Sequence, residues 1–195
     1  MRRLILIPII HTAADLGSLA GTVQDRYLSR FGAAAWAKRE QVVQQIWNTV
    51  RTKLAALGLD CGKVVIYQDG LPVCGHERQI VEELAKAGSL NHQLVLELLA
   101  QGATLVGTED PQLLIREYQL QCRRLRPEAT ALGAAAASAD DAADEAAELL
   151  AARDRFIAQR VAETLPDGAL GLLFLGAAHR LPAPQSPDLH VETLG

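Results

Sequence analysis

Aromatic residues are scarce in this chain of 195 residues, at 4%, so Leu, Val, Ile and Ala must build the core. Cysteine is scarce too. Cys61, Cys74 and Cys122 are widely spaced, odd in number and without a CxxC pair. That excludes a disulfide framework or a zinc knuckle and fits reduced thiols in a cytoplasm, the expected location. No run approaches the roughly 20 apolar residues of a membrane span. The opening Met1-Arg2-Arg3 and its apolar run imitate a secretory signal. The run is short, contains Pro8 and meets no clear small-residue cleavage site before Asp15, so it reads as a strand. The net charge of -4 offers no basic excess for neutralising phosphates, and nucleic acid is not an expected partner. P-loop, GxGxxG and GxSxG motifs are all missing, so the standard nucleotide and serine-hydrolase readings lack their signatures.

What is present is an alternation of apolar runs and helical faces. Leu4–Ile10 is Ile-rich and continuous, as in a central strand buried on both faces. Residues 11–31 read as a loop and a short helix. Trp36, Val43, Ile46, Trp47, Val50, Leu54 and Leu57 mark one helical face ended by Gly58. Lys63–Tyr67 is a second strand, followed by turn chemistry at Gln68-Asp69-Gly70. Helices follow over Glu77–Ala87 and Leu90–Gln101, the latter capped by Ser89. Ala103–Gly107 is a third strand, and Asp110-Pro111 opens another helix. Residues 123–138 turn from basic to Ala-rich, a candidate flexible or helical excursion. A long helix then runs to Pro166, Ala169–Leu175 is a fourth strand and His190–Leu194 a short edge strand. The expectation is a single α/β domain over residues 1–195. Its mainly parallel sheet has four to five strands, with helices covering both faces.

A titratable residue follows each of the four main strands: His11, Asp69, Glu109 and His179. Ligands of open α/β sheets bind at the carboxyl ends of the strands, so these four are the candidate site. Two imidazoles and two carboxylates suit a divalent metal, with His11, Glu109 and His179 as ligands. They equally suit metal-free acid–base work, with a histidine oriented by a carboxylate. Asp15, four residues beyond His11, is a candidate supporting partner, and Cys74 beside His76 a weaker nucleophile pair. Arg153 and Arg155, like the acids Asp140 to Glu148, read as solvated faces of a helix. Trp36, Trp47 and the Ala-rich helices are candidates for a homodimer surface.

The segment Arg153–Val161 followed by Gly171-Leu172-Leu173-Phe174-Leu175-Gly176-Ala177-Ala178-His179 resembles the TraB/TIKI superfamily, with its erythromycin-esterase-like and ChaN-like members. Gly176 and His179 match a GxxH motif. Gly102–Glu109 is similar to a family strand ending in glutamate. Pro8-Ile9-Ile10-His11 keeps the histidine of another GxxH with proline in place of glycine, and Asp69 stands where a glutamate is usual. The resemblance implies an α/β fold and a metal-assisted hydrolase acting on a small molecule or peptide. The alternative is a non-catalytic protein binding a haem-like small molecule.

Overall fold

The structure, a computed structural model, describes residues 1–10, 12, 15, 20–125, 139–184 and 186–195. Strands β1 (Arg2–Ile9), β2 (Val64–Gln68), β3 (Thr104–Val106), β4 (Leu170–Gly176) and β5 (Leu189–Thr193) form one sheet. Its order is β3-β2-β4-β1-β5, and every pairing is parallel. Among the described residues the α-helices are α1 (Ala20–Ala56), α2 (Glu77–Lys86), α3 (Leu90–Ala100), α4 (Pro111–Leu125) and α5 (Ala139–Thr164). Of the expected excursion, residues 123–125 complete α4, and 126–138 lie outside the described residues. No helix among the described residues is long and apolar enough to cross a membrane.

Period-two alternation along each strand sorts the core into two layers. On one face Ile5, Ile7 and Ile9 of β1, Val64 and Ile66 of β2, and Leu172 and Phe174 of β4 meet three helices. These are α1 through Val43, Trp47, Val50 and Leu54, α2 through Val81, and α3 through Leu94, Val95 and Leu98. On the other, Leu4, Val65, Tyr67, Leu173 and Leu175 meet Ile157 and Val161 of α5 and Leu165 just beyond it. Helices therefore cover both faces of a parallel sheet, the α/β architecture expected.

Helix α1 is broken at Gly32, where φ 80 and ψ 168 are non-helical, so two helical pieces meet at a kink. The part beyond the kink carries Trp36 and Trp47, 8% and 1% exposed. Both indoles are consumed within the chain, Trp47 in the core layer against the sheet and Trp36 against the Tyr27 ring across the kink. Neither is available for the dimer surface proposed for them.

The connections position the site. Strand β2 leaves its carboxyl end for α2 and α3 on the first face, whereas its neighbour β3 leaves for α4 and α5 on the second. Adjacent strands thus diverge to opposite faces at their carboxyl ends, the edge of an α/β sheet where ligands usually sit.

Candidate functional site

Asp69 immediately follows β2 and has the parity of Val65 and Tyr67, so it falls on the α5 face. Gly70, at φ 78, then turns the chain away. The chain leaving β3 is stitched to the chain leaving β2. The N–H groups of Thr108 and Glu109 both donate to the Leu71 carbonyl (2.9 and 3.0 Å), and Val73 N–H donates to the Glu109 carbonyl (2.9 Å). Pro72 and Glu109 form a parallel bridge there. Gly107 permits this approach: a Cβ on it would lie 2.8 Å from Val73 Cα and 2.9 Å from the Pro72 oxygen. Glu109 is thereby drawn fully into the interior, 0% exposed, where Gly70 N–H donates to its Oε1 at 2.7 Å. His179 lies one turn past β4, its N–H donating to the Gly176 carbonyl. Ala177 and Ala178 beside it are exposed, so the buried imidazole lies just beneath the surface.

The centre of the cluster is a residue read from sequence as a solvated helix charge. Leu149, Arg153, Ile157 and Val161 recur every four residues and form the buried stripe of α5. Arg153 Nε donates to Glu109 Oε2 (2.5 Å), and Nη2 donates to Glu109 Oε1 (2.6 Å) and Asp69 Oδ1 (2.7 Å). Its Nη1 pairs with Glu117 of α4. The next residue, Asp154, accepts from His179 Nδ1 (2.7 Å) through one oxygen and from Arg180 N–H (2.9 Å) through the other. His179 Nε2 faces Asp69 Oδ2 at 3.4 Å, and that oxygen also accepts from Gly176 N–H at 3.0 Å.

Four carboxylates thus surround one guanidinium and one imidazole, and this imbalance governs protonation. Burial opposes ionisation of Asp69, but the close approach and charge of His179 and the charge of Arg153 outweigh it and hold the carboxyl far below its ordinary range. Burial pushes Glu109 above its usual 4.5 despite the Arg153 fork, and the Asp69 charge adds to the rise. Burial works against a charged His179, yet Asp69 and Asp154 prevail and raise the imidazole above its ordinary 6.5.

No protein-family model, no curated protein and no solved structure matches the chain.

Asp69, Glu109 and His179 are brought to one rim. His11 lies outside the described residues. The proposed metal donors do not fit a metal as they are arranged. Both oxygens of Glu109 face the Arg153 guanidinium, and the two nitrogens of His179 face Asp154 and Asp69. Among the described residues no group of three or more His, Cys, Asp or Glu side chains is placed to hold a metal ion.

A second buried polar group was not foreseen. Asp15 lies away from this cluster, beside Ser89 and His92 at the start of α3. Ser89 Oγ donates to Asp15 Oδ1 and lies 2.7 Å from His92 Nδ1, while Thr12 donates to Asp15 Oδ2 through N–H and hydroxyl (2.5 and 2.8 Å). Ser89 also caps α3 as expected, accepting from His92 N–H at 3.3 Å. The group ties the chain beyond β1 to α3, next to a cavity of about 390 Å³ bordered by Thr12, Val43, Gly88 and Leu90. The Cys74–His76 pair is explained locally. Cys74 is exposed, and the Glu77 carboxylate accepts the N–H groups of Cys74 and Gly75 (2.8 and 3.0 Å), which fixes the turn before α2.

Proposed function

We propose that the chain is a hydrolase of small-molecule or peptide substrates in which His179 is the proton-transfer group at the carboxyl ends of the strands. The observation that carries this reading is the imidazole held between two aspartates at a strand end. Asp154 fixes the ring through Nδ1. The Nε2–H faces Asp69 at 3.4 Å, longer than a full hydrogen bond, and is the proton the site can give away. The two aspartates raise the His179 pKa against the effect of burial and so favour its imidazolium form. Water adds to the substrate carbonyl carbon while the leaving group takes the Nε2 proton and departs. The proton released by the attacking water then restores the imidazolium. Asp69 stays ionised and Arg153 balances the carboxylates, so both set the charge around the ring. The likeness of Gly176–His179 to a GxxH strand end supports the same residue.

The test is hydrolysis of a panel of esters, amides and short peptides by the protein and by its H179Q and D154N variants. Removal of a positioned acid–base group lowers kcat by about 10²–10⁴-fold. Turnover that H179Q leaves unchanged, or no turnover across the panel, overturns the reading. A visible band on adding haem that disappears in H179Q moves the assignment to the non-catalytic alternative.

A further inference from the structure

We infer that the substrate carries a carboxylate and that Arg180 holds it beside the His179 imidazole. The inference deepens the proposed function and rests on it for the role of His179. It starts from how the side chain is held. Arg180 follows His179 directly, beyond the carboxyl end of β4, the middle strand of the sheet. Its backbone N–H donates to Asp154 Oδ2 at 2.9 Å, and the other oxygen of that carboxylate orients the imidazole. Its guanidinium folds back over the same turn, where Nη1 donates to the carbonyls of Ala177 and His179 at 2.8 and 2.7 Å. The head of the side chain is thus pinned to the loop that carries the proton-transfer group.

Pinning leaves most of its donors unspent. Nε and Nη2 donate to no group among the described residues, and no carboxylate there pairs with the guanidinium. Arg153 is the contrast: it is buried, with all three nitrogens on carboxylates. Arg180 is exposed, so its charge is open to a ligand. The free side of a guanidinium matches a carboxylate through paired, coplanar N–H groups. A side chain already fixed also loses little freedom when that ligand arrives. The charge around it selects the ligand. The acids of the buried cluster outnumber Arg153 and His179, a field that repels a phosphate dianion more strongly than a carboxylate. Because Arg180 and His179 are consecutive, the anionic group of the substrate lies close to the carbonyl that is cleaved.

The experiment offers the full chain matched substrates, one member with a free carboxylate and the other with a carboxamide in its place, N-acetyldialanine and its amide among them. The carboxylate member should have the lower KM, by about fivefold or more, the upper end for a partly screened pair. R180Q should bring the ratio of kcat/KM for the two members close to one, R180K should keep part of it, and added salt should shrink it. The backbone N–H that holds Asp154 is unaltered in both variants. No preference in the parent overturns the inference, and so does a loss in R180Q shared equally by both members, the mark of a structural role. Either result, with turnover that depends on His179, leaves the proposed function standing. Should R180Q not fold, the same ratio in R180K and its dependence on salt decide. If no pair is hydrolysed, both members are titrated into the parent and R180Q by ligand-observed NMR. Binding of the carboxylate member that R180Q abolishes then defeats the proposed function and keeps Arg180 as a carboxylate-binding residue. Equal binding of both members, or none, overturns both.

Discussion

Replacing Arg153 by methionine should be among the most damaging single changes at the rim. Methionine keeps much of the length and packing of the stem and deletes only the charge and the fork. Asp69 and Glu109 are then left buried with their principal partner gone. Removing one partner of a buried pair costs about 3–5 kcal/mol. Glu117, at 31% exposed, is screened by water and adds little. For a domain of this size 1 kcal/mol moves the melting temperature by about 2–4 °C, so the expected fall is about 6–20 °C. Urea unfolding followed by circular dichroism reads the free energy, with the slope against urea unchanged. The cycle with E109Q isolates the contact: the double variant should lose less than the two single losses combined, by about 0.5–3 kcal/mol. A loss below about 1 kcal/mol in R153M, the scale of an exposed pair, would refute the reasoning.

Three further outcomes follow from the geometry. His179 titrates above 6.5 in the folded chain, so its stabilisation is complete below that pH and drains away as pH rises through the folded value. The urea midpoint should fall across that window, and H179Q should flatten the fall; an unchanged slope contradicts the assignment. Asp69 has the opposite sign, its contribution being present above 3.8 and lost as acid brings the pH towards its depressed folded value. Among glycines, a Cβ at Gly171 meets the tips of Leu4 and Leu165 (2.6 and 3.3 Å), whereas one at Gly107 meets the backbone at Val73 and Pro72. Leucine tips rotate and backbone does not, so G107A should cost more stability than G171A, and equal losses in thermal melts would count against that distinction.

Strand and helix identities were legible because their periods are unmistakable: Leu4–Ile10 as a strand, and the Trp36–Leu54 face as a helix beyond the Gly32 kink. Caps were legible for the same local reason, as at Ser89 and at Asp110, whose carboxylate accepts from Gln112 and Leu113 N–H groups. That Asp69, Glu109 and His179 share a rim follows from parallel strands alone. The order β3-β2-β4-β1-β5 was not readable, since it depends on which long-range pairs form. Arg153 was missed because a charge on a helix usually faces water. Its signal was present nonetheless: it falls at the four-residue spacing of Leu149, Ile157 and Val161, where an apolar residue belongs. Glu117 could be placed only once α4 and α5 were known to pack together, and Asp154, next in sequence to Arg153, only once α5 was known to face the end of β4. His92 had no acidic partner until the chain beyond β1 brought Asp15 to it.

The sheet order has a consequence for biosynthesis. Strand β1 leaves the ribosome before either of its neighbours exists, because it pairs with β4 and β5 and with neither β2 nor β3. The most isoleucine-rich stretch of the chain must therefore wait, both edges open, until residues 170–193 are synthesised. Such an interval invites wrong pairing with other nascent chains. Completion of the sheet is in effect a late event that closes over the oldest part of the polypeptide, and a nascent chain halted after α5 would leave that strand without any partner.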